Sequence, residues 1–412
     1  MADVNPMRVA WFSPLPPTRS GIAAYSADAV RALGRAHAVD CYVDRPSVPV
    51  HGARLFDAHD FVWRHQRTPY DLVVYQLGNA PCHDYLWAYL VAYPGLVVLH
   101  DARVHHARAR HLLDQRRFDD YRAEFRYDHP GATPEFVEYA VEGLGGSIYY
   151  FWSMLGVVVR TARAVAVHNA RVASDLHAEF PHVAFDTIRM GVPPIEPDAA
   201  AARLRQELKL PPHAVVFAAF GKVTAEKRIA PILRALGTLA AEGADVFLLL
   251  VGDADGYPSL AAEIARLGIA DRVRVAGYVA DEAIGTYLGA ADVCLCLRWP
   301  TAHETSASWL RCLAASRPTV VTDLAQLVDV PTLDPRTWRP SIPATTPVAI
   351  AIDLLDEDRS LETAMRRLAS DRALGDSLGR AGHDYWSAVH SLDGMVSDYV
   401  RVMKAAAVRP AR

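Results

Sequence analysis

Short apolar runs alternate along this chain with longer stretches in which apolar residues recur every third or fourth position. The runs have the length of strands, and the stretches have the period of a helix with one buried face. Residues 8–12, 39–43, 72–76, 95–100, 164–168 and 185–190 read as strands, with a loop rich in Pro, Ser and Gly at 13–21 and a helix at 22–33. A second series of strands falls at 214–220, 246–251, 273–275, 293–297 and 319–322, with helices at 230–242, 257–267 and 283–290. This order predicts an α/β protein with mostly parallel sheets. A last helix near 392–404 carries Met395, Val396, Tyr399, Val400 and Met403 at helical spacing and is expected to pack on the first half.

The interruptions set the domains. Pro193, Pro194 and Pro197 make residues 191–197 a stiff connector. The reading places one domain at 1–195, a second at 196–385 and a returning helix at 386–412. Within the first domain lies a helical insertion, 104–161, and the charge in 108–126 reads as a solvated helix face. Residues 143–159 carry no charge, and their 17 positions touch the lower limit for a membrane-spanning helix. Gly143, Gly145 and Gly146 near the start, and Arg160 and Arg163 just beyond, favour a buried helix instead. After Asp323 the pattern weakens through 331–347.

Composition narrows the class. A chain of 412 residues with 51% apolar and 22% charged residues suits two globular domains. A net charge of −4 without a long basic run excludes a nucleic-acid footprint, so any phosphate must be met by local basic clusters. Five scattered cysteines make no disulfide framework and suit a reducing compartment. Cys294 and Cys296 read as small buried residues of one strand rather than a metal pair.

Two loops at strand ends carry the candidate chemistry. One follows residues 214–220 and runs Gly221-Lys222-Val223-Thr224-Ala225-Glu226-Lys227-Arg228. The other follows 293–297 and brings His303, Glu304, Thr305 and Ser306 to the start of a helix. In α/β proteins such helix-start amides point into the crevice that holds anionic or polyhydroxyl ligands. Lys222 and Lys227, with Arg228 third, suit a diphosphate on which charge develops. The amides of Thr305 and Ser306 suit the same phosphates, while a Ser hydroxyl there also serves as an N-cap. Glu304, beside His303, is placed to accept hydrogen bonds from sugar hydroxyls. Gly21 allows the first loop a close approach to phosphate. His100 ends a strand and is expected to point into the crevice, with Asp101 next to it. Asn79, His83, His168 and Asn169 follow other strand ends of the first half and suit a second substrate.

Taken in order, these pieces resemble the retaining GT-B-fold glycosyltransferases of family 4, the glycosyl transferases group 1. The resemblance rests on the loop Pro16-Pro17-Thr18-Arg19-Ser20-Gly21-Ile22, the pair His100-Asp101, the basic turn from Gly221 to Lys227, and the loop before the helix, where relatives have E-x7-E. It covers nearly the whole chain and is strongest over 217–323. Two positions depart from the family pattern. Lys222 stands where relatives have Arg, turning a two-pronged phosphate clamp into a point charge. Arg311 replaces the second Glu, the usual ribose contact, and His303 occupies the strict position of the first.

The resemblance implies two Rossmann-like domains with parallel sheets facing a central cleft. The N-terminal one binds the acceptor, the C-terminal one the donor, and the last helix packs back on the first. It implies a retaining transfer from a nucleotide sugar to a saccharide or lipid-linked glycan, without metal, cofactor or covalent enzyme nucleophile. His100, Glu304, Lys222 and Lys227 would be catalytic. Gly21, Arg228, Tyr278, Val279, His303, Thr305, Ser306 and Arg311 would join them around the donor, with Tyr278 and Val279 against the base. Asn79, His83, Asp101 and His168 would face the acceptor. The expected place is the cytoplasm, with Tyr149 to Trp152 as candidate anchors for peripheral membrane contact. A sugar-nucleotide epimerase, a phosphorylase and a non-catalytic binding homologue remain as alternatives.

Overall fold

In a computed structural model the described residues are 6–143, 146, 148–196 and 200–410; Gly145 of the uncharged segment and Pro197 of the connector lie outside them. The chain forms two compact units, Met1–Gly191 with Pro300–Thr305 and Leu392–Arg412, and Val192–Trp299 with Ser306–Ser391.

The first unit is built on a seven-stranded sheet of β1 (Arg8–Phe12), β2 (Ala38–Val43), β3 (Ala53–Asp57), β4 (Leu72–Leu77), β5 (Leu96–Leu99), β6 (Ala164–Val167) and β7 (Phe185–Thr187). Its order is β3-β2-β1-β4-β5-β6-β7, and every pair is parallel. β4, β5 and β6 are buried along their whole length, which is why they lack the alternation of a one-sided sheet. The crossover direction reverses between β1 and β4, and such a switch opens a crevice at the carboxyl ends of the strands.

The second unit repeats the plan with β8 (Val215–Phe220), β9 (Val246–Val251), β10 (Val273–Gly277), β11 (Val293–Cys296), β12 (Thr319–Thr322), β13 (Thr332–Asp334), β14 (Arg339–Pro340) and β15 (Ala349–Ile352). The order is β10-β9-β8-β11-β12-β15-β13-β14, with the switch between β8 and β11. Only the short edge pair β13–β14 among the described strand pairs is antiparallel.

The last helix, Leu392–Val408, packs on the first unit, burying Met395, Tyr399, Val402, Met403 and Ala406. Asp398 on it pairs with Arg189 at 2.7 Å. The expected boundaries differ from the observed units in three ways, the first being that residues 192–195 fall in the second unit. Residues 300–305 belong with the first unit, where the Ala102 N–H donates to the Ala302 carbonyl at 2.9 Å. The segment 386–391 stays with the second unit, at the end of the helix Arg372–Val389.

Other expectations are corrected. Residues 143–159 do not make one buried helix; short helices at Ile148–Phe151 and Gly156–Thr161 stand apart. Imidazoles take the carbonyls between them: His105 Nδ1 donates to Trp152 O at 2.9 Å and His129 Nε2 to Ser153 O at 2.6 Å. The second helix then starts on Asp128, whose Oδ2 accepts from the Gly156 N–H at 3.0 Å. No described helix is long and apolar enough to cross a membrane. The charge at Arg108 is not a solvated face either. Its guanidinium forks onto Glu124 with two 2.6 Å bonds, and its side chain is only 11% exposed. The weak stretch 331–347 holds β13 and β14.

Candidate functional site

The second unit presents a cationic turn at the end of β8. Gly221 adopts φ +94°, a conformation that favours glycine, and a Cβ there would come within 2.9 Å of Lys227 Nζ. Thus the chain bends sharply and Lys227 folds back over the bend, its ammonium donating to the Phe220 carbonyl at the strand end. Lys222 is exposed beside it. The Trp299 N–H donates to Glu226 O at 2.7 Å, which ties the exit of β11 to the same turn. Two cationic side chains therefore stand at the switch point, where a parallel sheet receives ligands.

Arg228 is occupied elsewhere. Its guanidinium forks onto Glu357, with Nε to Oε1 at 2.6 Å, and this bond raises its pKa. With φ +58° it shapes the turn and anchors it to the helix Glu357–Ser370, so a phosphate there would compete with Glu357 for the guanidinium. Arg311 has also found a partner, Asp281 at 2.8 Å. Asp281 lies just past Tyr278 and Val279, so Arg311 tethers the segment expected to face the base. Tyr278 is 51% exposed there, and Val279 packs partly into the core. Ser306 caps the helix Ala307–Ala314, its hydroxyl accepting from the Trp309 N–H at 3.2 Å.

The loop before that helix folds on itself. Glu304 Oε2 accepts from Thr301 Oγ1 at 2.7 Å and from the Ala302 N–H at 2.9 Å. His303 has φ +60°, and burial, then the Arg103 charge, lowers its pKa. His303, Glu304 and Thr305 belong to the first unit and Ser306 to the second, so the loop spans a unit boundary invisible in the sequence.

At the strand ends of the first unit, uncharged groups bond one another. His100 is 6% exposed, and both of its ring nitrogens are engaged. Nε2 lies 2.8 Å from the Gln76 amide and Nδ1 lies 3.1 Å from His168 Nε2. His168 Nδ1 donates to Ile188 O at 2.8 Å. The Gln76 amide lies 3.1 Å from the Tyr399 hydroxyl, which is 2.8 Å from that of Tyr25. Burial, with smaller effects of His168 and His83, pushes the His100 pKa well down. In the uncharged form this chain runs one way. His168 keeps its proton on Nδ1, so His100 Nδ1 donates to it, and the Gln76 amide turns its N–H onto His100 Nε2.

His100 and His168 thus do not present ring nitrogens to a substrate; they lock the last helix to β4, β5 and β6. Asn79 is likewise internal, donating to Arg103 O at 2.7 Å and accepting from the Ala107 N–H at 3.1 Å. Asp101 Oδ2 accepts from the Asn79 N–H at 2.7 Å. His83 is fully buried, and its Nδ1 donates to Gln76 O at 2.9 Å. Gly21 opens the first helix, Gly21–Leu33, and a Cβ on it would meet nothing within 4 Å. The sequence reading missed Gln76, Tyr25 and Tyr399. A polar Gln inside an apolar strand was the one available signal.

The two switch-point orders and the whole-chain superpositions define a GT-B fold. The chain superposes on sucrose-phosphate synthase from Thermosynechococcus elongatus with a TM-score of 0.68 and 17% identity, covering 97% of this chain and 98% of that one. On Anabaena Alr3699/HepE in complex with UDP and glucose the TM-score is 0.65 at 14% identity, covering 97% of this chain and all of the other. Residues 214–337, most of which lie in the second unit, match the family Glycosyl transferases group 1. The 2-deoxystreptamine glucosyltransferase of Streptomyces kanamyceticus is 25% identical over 256 residues, 60% of this chain and 62% of that relative. The alpha-D-kanosaminyltransferase of the same organism is 28% identical over 128 residues, 31% of this chain and 32% of the relative. The chain thus matches less than two thirds of the length of either relative.

Proposed function

We propose that the protein is a retaining glycosyltransferase that moves a hexosyl group from a nucleotide sugar to a hydroxyl of a saccharide, cyclitol or lipid-linked acceptor. The observation that carries this reading is the pair Lys222 and Lys227 at the end of β8, inside the stretch that matches group 1 glycosyltransferases. As the bond from sugar to diphosphate breaks, negative charge grows on the leaving phosphate. Lys227 leaves the Phe220 carbonyl for that phosphate and Lys222 closes from the open side, so protein cations supply the stabilisation and no metal is required. The leaving phosphate oxygen accepts the proton of the attacking hydroxyl on the same face of the sugar, and the configuration is retained. Arg311 holds the base segment through Asp281 where relatives use a carboxylate on the ribose. UDP is the first nucleotide to test, because the HepE neighbour was solved with it. The protein works in the cytoplasm.

Calorimetry of UDP, GDP, ADP and TDP against the chain in EDTA tests the donor site, and one nucleotide is expected to bind well ahead of the others. Transfer from the matching nucleotide sugar to saccharides and aminocyclitols then tests the reaction. Binding without turnover over such a panel would favour the non-catalytic alternative. No binding in a folded sample would overturn the proposal.

A further inference from the structure

Among the described buried atoms of the first unit, His83 Nε2 is an acceptor without a hydrogen-bond partner. His83 Nδ1 faces the Gln76 carbonyl, which can only accept, so the ring proton sits on Nδ1 and Nε2 carries a lone pair. Nε2 is buried without any hydrogen-bond partner. A buried acceptor left unmet carries a desolvation penalty with nothing to offset it, so its persistence calls for an explanation.

Its surroundings are specific. The position a Cβ would take on Gly78 lies 3.4 Å from His83 Nε2 and 3.3 Å from Asp101 Oδ2, and it would collide with Ile22 Cδ1. Two acceptors therefore converge beside a residue without a side chain, and a half-buried isoleucine covers them. Ile22 belongs to the first turn of the helix Gly21–Leu33, where the space beside Gly21 is open. All this lies at the β1/β4 switch, where the sheet geometry favours ligands. Burial lowers the His83 pKa to about 4, so the ring is neutral and a weak base at neutral pH. The unmet His83 Nε2 acceptor is complemented by a donor, and Asp101 Oδ2, which already accepts from the Asn79 N–H, lies beside it.

We propose that His83 Nε2 and Asp101 Oδ2 form the subsite that receives a hydroxyl of a polyol acceptor, entered when the Ile22 side chain turns aside. The subsite orients the hydroxyl and does not take its proton. This inference rests on the glycosyltransferase reading for its substrate class.

The test uses the full chain labelled with 15N-histidine. His83→Asn keeps an N–H for the Gln76 carbonyl and deletes Nε2, so it identifies the His83 signal without undoing the local fold. Titration of the wild type with myo-inositol and with methyl α-D-glucoside, with UDP present and absent, is expected to move the His83 Nε2 resonance from its unbonded toward its hydrogen-bonded position. In transfer assays H83N is expected to lose roughly tenfold to a hundredfold in kcat/KM for the acceptor, with UDP affinity and Tm unchanged. His83→Gln, whose side-chain oxygen reaches the Nε2 position, is expected to recover part of that loss. A resonance unmoved by saturating polyol, or already at its bonded position without it, would overturn the subsite, as would H83N transferring like the wild type. Failure of the wild type to bind any nucleotide would instead strike the donor-site reading, and the polyol titration is read independently of it.

Discussion

At the ends of β4, β5 and β6, Gln76, His100, His168, Tyr25 and Tyr399 are buried and uncharged, and they bond one another. At the end of β8, Lys222 stands exposed and Lys227 is held only half-buried, on a backbone carbonyl. Both regions occupy the same station on the same kind of sheet. The difference is in when their interactions are made. The neutral network is complete before any ligand arrives, so its energy belongs to the folded state. The exposed Lys222 ammonium, by contrast, makes its strongest interaction only when a diphosphate arrives. Substitutions should therefore separate into those that cost stability and those that cost nucleotide affinity.

The largest effect expected is on stability. Gln76→Leu strips His100 Nε2 and the Tyr399 hydroxyl of a shared partner in a dry site, and should destabilise the protein by about 2–4 kcal/mol. Urea denaturation reads this, and an intact midpoint would show that the network is not holding the last helix. Next comes Lys227→Ala, expected to weaken UDP binding by roughly 10- to 50-fold, about 1.5–2.5 kcal/mol for a charge-assisted bond, with little change in Tm. Equal losses of stability and affinity from either substitution would erase the contrast between the regions.

A smaller effect sharpens it. Burial, then the neighbouring Glu124 and Glu179, raises the Asp128 pKa to about 6, against the bond from Gly156 N–H and the charge of Arg160. The folded pKa lies above the unfolded value of about 3.9, so the fold binds this proton more tightly. The contribution to stability is therefore full at low pH and is lost as pH rises from about 4 to 6. Asp128→Asn should stabilise the protein by on the order of 1–2 kcal/mol at pH 7 and flatten that part of the stability profile, as denaturation at several pH values will show. The smallest change concerns Arg311. Its pair with Asp281 is partly exposed, so Arg311→Ala should cost under about 1 kcal/mol. A clear loss of UDP affinity with unchanged stability would place the tether of the base segment among the binding determinants.

Much of the plan was legible in the sequence. The apolar runs and their spacing gave β1, β4, β8, β9 and β12 nearly to the residue, because a strand buried on both faces leaves an unmistakable run. The basic turn was legible as well, since its residues are consecutive and its Gly221 marks the bend. The partners that His100, His168, Asn79 and Arg228 have in the fold were not legible, for a common reason. Each residue was judged by its place at a strand or helix end, yet each is bonded to groups elsewhere along the chain: His100 to His168, Asn79 to Arg103 and Arg228 to Glu357. The broken segment 143–159 failed likewise, because His105, Asp128 and His129 lie outside any window that reads it.

Periodicity and short-range charge are properties of neighbours along the chain, and they were enough to read two mostly parallel α/β sheets, a terminal helix returning to the first, and a local cluster of cations after β8. Which polar groups are already satisfied depends on the fold. It placed residues 300–305 with the first unit, gave Arg311 to Asp281, closed the chain from Tyr25 through Gln76 to His168, and left His83 Nε2 without a partner. Hydrogen bonding is a matter of distance and direction in space, and for groups this far apart along the chain neither is written in the order of residues.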